Sequence, residues 1–213
     1  SGGKGEPSIF TVDPWINNWL RGHDVLDPVL VGRAKFPALH TTLENWPLQD
    51  ARQHIDRLLA HQPLQKLRLS VMGIDGSGRQ TFAAHIAAHF GLPLMAIDVD
   101  RLAPEDWRAL YLHAQRQAYL TGLAIAWRGD DLPEKIWPTE VMPVQLQFAI
   151  LGKEQVLQPQ AIVIDFKVEL KPLSIAIRRQ LWESLVPMSR AWDADVLEQL
   201  VVRYQTSVGQ IAM

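Results

Sequence analysis

The sequence predicts an α/β fold in which a mostly parallel, five-stranded sheet carries helices on both faces. Between residues 67 and 172, apolar strand-like segments alternate with helical segments. Such alternation is typical of parallel sheets with right-handed crossovers. A glycine-rich loop separates the first of these strands from the first helix. After residue 173 the pattern is helical, without intervening strands.

The composition limits the class of protein. A chain of 213 residues with 47% hydrophobic content can bury a substantial core as one domain, or as one domain with an appendage. The net charge of -2, without a basic block, argues against a specific nucleic-acid partner. The absence of cysteine excludes disulfides, thiol catalysis and cysteine-based zinc sites. No apolar run approaches the ~20 residues of a membrane helix, so we expect a cytoplasmic protein without a membrane partner.

Residues 1–66 are interpreted as a tag remnant, Ser1-Gly2-Gly3, followed by a helical extension. Asp13-Pro14 predicts a capped helix that stops at Gly22, and Leu48 to His61 has the apolar spacing of a second helix. We expect three tryptophans to anchor this extension on the rest of the protein rather than to stack on a ligand: Trp15, Trp19 and Trp46.

The central region, residues 67–172, is divided into strands and helices by its apolar pattern. The predicted strands are Leu67 to Met72, Leu94 to Ile97, Gly122 to Trp127, Ala161 to Ile164 and a short fifth at Val168 to Leu170. The predicted helices are Thr81 to Phe90, Pro104 to Leu120 and Pro143 to Leu151. Residues 173–213 are predicted as a helical lid, with helices at Ser174 to Leu185 and Asp193 to Tyr204 and a third from Thr206. We expect the parent polypeptide to be longer, so that the lid is truncated.

The glycine-rich loop has the spacing G-x-x-x-x-G of a phosphate-binding loop, in which backbone N–H groups and a helix N-terminus surround phosphates. Two positions depart from that pattern. Arg79 replaces the lysine that reaches the phosphates, and Gln80 replaces the serine or threonine that binds magnesium. Thr81 replaces that ligand only if the loop slips by one residue. The candidate nucleotide-binding residues are Gly73, Gly76, Ser77, Gly78, Arg79, Gln80 and Thr81.

This loop on the first strand, the αβα body and the trailing helices together resemble the AAA+ ATPase family over roughly residues 60 to 213. More narrowly, the chain is similar to the degenerate first module of two-module bacterial AAA proteins. The resemblance implies a P-loop NTPase-type αβα sandwich and a neighbouring AAA+ module or other protein subunits as partners. It also implies ATP or ADP as a weakly bound ligand.

In the family, the third strand ends in an Asp-Glu pair that orients magnesium and the attacking water. The corresponding positions here hold Arg128 and Gly129. Asp130 and Asp131 follow two residues later and take that role only if a bulge alters the register. We therefore expect no magnesium site, no catalytic residue and no ATP hydrolysis by this chain alone.

Three further positions follow from the resemblance. Asp165 stands near the place of the sensor residue after the fourth strand. A carboxylate that faces a triphosphate is electrostatically unfavourable, so an exposed loop aspartate or a salt-bridge partner is the preferred interpretation. The lid arginine maps to Gln210, with Arg203 about one turn away. The region before Ala161 offers Lys153 and no arginine, so no trans-acting arginine is assigned.

His85 and His89 have the i, i+4 spacing of zinc ligands, but they lack the glutamate of an H-E-x-x-H motif and are interpreted as a solvated stripe. Three functional hypotheses remain. The chain is a structural and regulatory pseudo-ATPase module, a nucleotide-binding AAA+ domain with weak or no hydrolysis, or a small-molecule P-loop kinase.

Overall fold

The computed structural model describes residues 13–23, 25–40, 42–139, 143–160, 162–186, 188–189 and 192–203. They form an α/β fold around a mostly parallel six-stranded sheet in the order β1-β3-β4-β5-β2-β6. The strands are β1 (Ala34–Lys35), β2 (Lys66–Met72), β3 (Leu94–Asp98), β4 (Ala124–Arg128), β5 (Leu146–Leu151) and β6 (Val163–Glu169). The α-helices are α1 (Pro14–Leu20), α2 (Leu48–His61), α3 (Arg79–His89), α4 (Pro104–Thr121), α5 (Ile175–Leu185) and α6 (Ala194–Arg203).

The two helices predicted in the N-terminal extension are both present. The Asp13 carboxylate accepts the Trp15 N–H at 2.8 Å and caps α1, as the Asp-Pro signal predicts. Helix α2 has the predicted bounds and buries Ala51 and Ile55. Trp15 and Trp46 are buried, which confirms their role as anchors, and Trp19 is half-buried.

The extension also supplies a strand that the sequence pattern did not predict. Strand β1 runs antiparallel to β3, with Ala34 opposite Ile97, and makes the sheet six-stranded rather than five-stranded. A strand of two residues is too short to show an alternating pattern, which explains why it was missed.

The helix predicted at Pro143 to Leu151 is wrong. Residues Leu146–Leu151 form β5, which lies between β4 and β2 and is parallel to both. Gln147 interrupts the apolar run and obscured the strand pattern. Its side-chain oxygen accepts hydrogen bonds from Gln115 Nε2 at 2.8 Å and Trp127 Nε1 at 2.9 Å, so this polar residue is satisfied inside a buried strand.

The predicted strands at Ala161 to Ile164 and Val168 to Leu170 both overlap one strand, β6, which spans Val163–Glu169, and Ala161 lies outside the described residues. Strand β6 pairs with β2 along its whole length. It alternates between half-buried and exposed side chains, because one of its faces packs on the core and the other meets solvent. The charged residues on that exposed face made the middle of the strand resemble a loop.

The sheet separates two hydrophobic cores. On one face, α2, α3 and α5 cover β2 with residues such as Ile55, Phe82 and Leu181. On the other face, α4 covers β3, β4 and β5 through an aromatic cluster: Trp107, Tyr111, Trp127 and Trp137. Helices on both faces agree with the predicted fold class.

The last two described helices follow the sheet without an intervening strand, as predicted. Ser174 caps α5 by accepting the Ile177 N–H at 3.3 Å. The helix expected from Thr206 lies outside the described residues. Within the described part of the chain, no helix is both long enough and apolar enough to cross a membrane.

Candidate functional site

A polar cleft of about 450 Å³ lies at the carboxyl ends of the parallel strands, where α/β proteins commonly bind ligands. The glycine loop (residues 73–78) follows β2 on one side of the cleft, and the turns after β3, β4 and β5 supply the rest. The lining residues are Asp75, Gly76, Gly78, Arg79, Gln80, Thr81, Asp100, Arg128, Gly129, Asp130, Ile150, Gly152 and Gln155.

Gly78 fixes the junction between the glycine loop and α3. Its φ of +84° is a left-handed conformation that favours glycine, and it is the N-cap of α3. The Trp46 ring packs directly against it, since a Cβ built on Gly78 would lie 2.3 Å from Cζ2 of Trp46. The N-terminal extension therefore supports the glycine loop through the contact between Trp46 and Gly78.

Gly73 and Ser77 are buried within the loop. A Cβ on Gly73 would lie 2.8 Å from Ser77 Oγ, so the two residues pack closely together. Of the seven predicted nucleotide-binding residues, these two support the shape of the loop. The other five line the cleft: Gly76, Gly78, Arg79, Gln80 and Thr81.

Arg79 occupies the position of the expected phosphate-binding lysine and is held by two groups of the protein. Its Nη1 donates to the Leu151 carbonyl at 2.5 Å, at the end of β5. Its Nη2 forms an ion pair with the carboxylate of Asp75 in the same loop. A carboxylate oxygen thus contacts the guanidinium as a phosphate oxygen would.

Arg128 ends β4 and stands directly opposite Asp98, the last residue of β3. Its Nη2 and Nε donate to Asp98 Oδ2 at 2.6 and 3.1 Å. Its Nη1 lies 3.4 Å from the Gln80 side-chain oxygen. In the resemblance to the AAA+ family, residues 80 and 128 correspond to the two magnesium-binding positions. Here the Arg128 guanidinium contacts the Gln80 side chain directly.

The Arg128 ion pair also sets the charge state of Asp98. Burial raises the pKa of this carboxyl, but the hydrogen bonds from Arg128 and the Asp100 N–H, together with the positive charges of Arg128 and Arg33, lower it and prevail. The pKa of Asp98 therefore lies below its ordinary value, and the group is ionised at neutral pH.

Gly129 follows Arg128 at the position of the expected water-orienting glutamate. Its φ is +137°, and a Cβ built there would lie 2.5 Å from Asp100 Oδ1. Both the backbone conformation and the contact with Asp100 disfavour a side chain at this position. Glycine thus fits the packing of the two turns that close the cleft.

Asp130 and Asp131 do not form a substitute pair. Strand β4 ends at Arg128 and pairs regularly with β3 and β5, without a shift in register. Asp131 Oδ2 accepts the Arg101 N–H at 2.8 Å, and the Asp131 N–H donates to Asp100 Oδ1 at 3.3 Å. Asp131 is therefore used to join two turns, while Asp130 is exposed at the cleft.

The turn after β3 is fixed from several directions. Arg33 Nη1 donates to the carbonyls of Asp98 and Asp100, both at 3.1 Å. The Asp98 carboxylate also accepts the Asp100 N–H at 3.0 Å. Arg101 has a positive φ of 53°, which is unusual for a side chain of this size. These contacts place Asp100 against Gly129 and define one wall of the cleft.

Sequence reasoning missed the cleft residues that come from β5. Gly152 and Gln155 line the cleft, and the Gly152 N–H donates to the Gln155 side-chain oxygen at 2.6 Å. They were overlooked because β5 was predicted as a helix. The position of Asp98 and Asp100 after a strand was visible in the sequence, but their partners were not.

Asp165 does not stand at the end of a strand, where the less favoured sensor role would place it. It lies in β6 opposite Arg68, whose Nε and Nη2 donate to its two oxygens at 2.5 and 2.7 Å. The salt-bridge alternative is therefore confirmed. Lys153 is exposed directly after β5. Gln210 and the side chain of Arg203 lie outside the described residues.

The two histidines of α3 make separate contacts. His85 Nε2 lies 2.6 Å from the His40 carbonyl, and His89 Nε2 lies 3.6 Å from an Asp56 carboxylate oxygen. Among the residues that the structure describes, no three or more His, Asp or Glu side chains are grouped to hold a metal ion.

The fold and cleft define an α/β protein with a polar, arginine-containing cleft at the carboxyl edge of its sheet. No protein-family model matches this chain, and no curated protein matches it significantly.

Proposed function

We propose that this chain is a degenerate P-loop module of the AAA+ type, which contributes structure and regulation to a larger ATPase and does not itself hydrolyse ATP. One observation carries the proposal. Arg128 contacts both Asp98 and Gln80 at the place where a P-loop enzyme would hold its magnesium ion. The α/β fold is compatible with a P-loop-type sandwich, and in this proposal an ion pair replaces the centre needed for catalysis.

The arrangement of the sheet supports the P-loop part of this proposal. The glycine loop joins β2 to α3, and β2 lies inside the sheet between β5 and β6. The loop therefore opens toward the crevice beside the carboxyl ends of the neighbouring strands. A helical region follows the last strand, as expected for a lid.

Electrostatics support the absence of hydrolysis. Phosphoryl transfer depends on metal ions and positioned groups that stabilise developing negative charge. Two unit charges 4 Å apart interact by about 4 kcal/mol at an effective dielectric of 20. The guanidinium of Arg128 opposes a divalent cation at this place, an effect that the paired carboxylate of Asp98 offsets in part, and Gly129 has no side chain to orient water.

A protein partner is the second part of the proposal. The N-terminal extension exposes several large apolar side chains to solvent, and exposed apolar residues close together in sequence often mark protein interfaces. They are Leu20, Val25, Val29, Val31, Phe36 and Leu39. We propose that this extension contacts a neighbouring AAA+ module or another subunit.

ATP turnover by the purified chain tests the proposal. Phosphate release should equal the rate of a buffer blank at saturating ATP and magnesium, before and after a further purification step that removes contaminating ATPase. Steady release that co-purifies with the chain and is abolished by Arg79→Ala would overturn it.

Nucleotide binding without hydrolysis is a second candidate function. It is favoured by the cleft itself, which remains open and is lined by the guanidinium groups of Arg79 and Arg128. Binding of a fluorescent ATP analogue, competed by unlabelled ATP, distinguishes this candidate from a purely structural module.

A further inference from the structure

We infer that the cleft binds diphosphate groups in their metal-free form, with Arg128 in the position of the divalent cation and Arg79 as the second contact. The inference rests on the proposed function, because it uses the same cleft. It goes beyond that function by specifying the class of ligand and by predicting that magnesium weakens the binding of this ligand.

The two arginines come from different elements and line the same cleft. Arg79 begins α3 and Arg128 ends β4, and their side chains are 14% and 35% exposed. A guanidinium offers a planar fork of N–H donors that matches the oxygens of a phosphate. Two such groups in a cleft of about 450 Å³ can contact the oxygens of a diphosphate, while three aspartates also line the cleft: Asp75, Asp100 and Asp130.

Each arginine forms an ion pair with an aspartate, Arg79 with Asp75 and Arg128 with Asp98. The two aspartate side chains differ in solvent exposure. The Asp75 side chain is fully exposed, at 100%, whereas that of Asp98 is 27% exposed and fixed by the turn after β3. An exposed ion pair contributes little to stability, so Asp75 can be displaced at small cost. Asp75 thus acts as a replaceable substitute for phosphate, while Asp98 keeps Arg128 in position.

Magnesium should weaken this binding. A magnesium-bound diphosphate carries less negative charge and would bring a divalent cation toward Arg128. Asp100 and Asp130 also line the cleft and carry charge that could attract a metal. Asp100 is engaged by the Asp131 N–H, and Asp130 lies at the exposed side, so neither is placed between Gln80 and Arg128.

The test is calorimetric titration of the whole chain with inorganic pyrophosphate and with ADP. Each titration is run in EDTA and again with magnesium in excess over the ligand. We expect millimolar or tighter binding in EDTA and at least a threefold loss of affinity with magnesium. Arg128→Ala should weaken binding in EDTA roughly tenfold, the effect of losing a hydrogen bond to a charged group.

Two further variants keep the test independent of folding. Asp75→Asn removes an exposed carboxylate without threatening the core, and it should strengthen binding severalfold because Arg79 is released. Arg57→Ala changes an exposed arginine of α2 that does not line the cleft, and it should leave binding unchanged. Thermal melts establish that each variant is folded.

Two results would overturn the inference. One is tighter binding with magnesium than with EDTA, because a metal site would then exist. The other is no detectable binding of either ligand to the parent chain and to Asp75→Asn. Both leave the absence of ATP turnover untouched, so failure here is distinguishable from failure of the proposed function.

Discussion

Arg128 at the end of β4 donates to Asp98 at the end of β3, with Nη2 2.6 Å from Oδ2. The two residues are direct neighbours in the parallel register, so the pair closes the sheet edge beside the glycine loop. The protein thus fixes a cation at the edge of the sheet, beside the loop that follows β2. Under the proposed function, this guanidinium stands where a divalent cation would otherwise bind.

Repair of the loop alone should not restore catalysis. The double substitution Arg79→Lys with Gln80→Thr restores the expected lysine and one magnesium ligand, but Arg128 and Gly129 remain. We expect tighter nucleotide binding than in the parent chain and phosphate release no faster than background. Binding is measured by calorimetry and turnover by phosphate release.

The control for this repair is the same double substitution combined with Arg128→Ala, which removes the opposing cation without adding a catalytic group. It should increase magnesium-dependent binding and still show no turnover. Steady hydrolysis by the loop repair alone, in a preparation free of other ATPases, would show that Arg128 and Gly129 are not the metal and water positions.

Gly129→Ala should destabilise the fold. A φ of +137° strains any side chain, and the new Cβ would lie 2.5 Å from Asp100 Oδ1. We expect a loss of about 3 kcal/mol in the free energy of unfolding, from backbone strain together with displacement of Asp100. Urea denaturation measures it.

Gly91→Ala is the matched control, since Gly91 also has a positive φ, of +73°, but a Cβ there meets nothing within 4 Å. It should cost only the backbone strain, about 1 kcal/mol. Equal losses at the two glycines would show that Asp100 does not restrict position 129. A larger loss at Gly129 would mean that a glutamate there also requires a change at Asp100.

The sequence predicted the elements that have a clear hydrophobic periodicity or a helix-capping residue. Asp13 and Ser174 marked helix starts correctly because capping is local, and α2 showed its apolar face directly. Strand β5 was not predictable in this way. The side-chain oxygen of the buried Gln147 accepts hydrogen bonds from Gln115 and Trp127. Both donors are distant in sequence, so the local hydrophobic pattern did not indicate that this strand is buried.

The sequence indicated residues beside the cleft but not how they pair. The loop spacing led to Arg79 and the strand pattern led to Arg128, and both line the cleft. That Asp98 neutralises Arg128 depends on the register of two strands, which a single sequence does not show. A salt bridge was expected at Asp165, but its partner was not identified, because Arg68 is on another strand.

The attachment of the N-terminal extension should be sensitive to acid. Arg116 of α4 donates to Asp27 at 2.5 Å and to Asp13 at 2.7 Å. Burial raises the pKa of Asp27, but hydrogen bonds from Arg116 and His113 outweigh it and leave this pKa below its ordinary value. The pKa of Asp13 is also lowered, mainly by its hydrogen bond from Arg116.

Carboxyls whose pKa is lower in the folded state contribute stability above the unfolded pKa of about 4, and that contribution is lost as pH falls through the folded pKa values. We therefore expect urea midpoints that fall steeply below pH 4. Arg116→Ala should lower the urea midpoint at pH 7 and make the decrease of the midpoint below pH 4 less steep. Arg179→Ala, which removes an exposed pair with Glu183, should leave the slope as in the parent chain.

The Arg68 and Asp165 pair should matter for stability and not for ligand binding. Arg68 is buried in β2 under the Trp137 ring, with its Cζ 4.3 Å from the ring centroid, and Asp165 is its carboxylate partner. Asp165→Ala leaves a buried cation without its carboxylate partner, so we expect a loss of about 3 kcal/mol in the free energy of unfolding, measured by urea denaturation.

The double variant Arg68→Met with Asp165→Ala should recover most of that loss, because the charge that requires a partner is gone. Pyrophosphate titration should give the parent affinity for both variants. A reduced affinity in Asp165→Ala at full folding would return Asp165 to the role of a sensor and contradict its placement in the middle of β6.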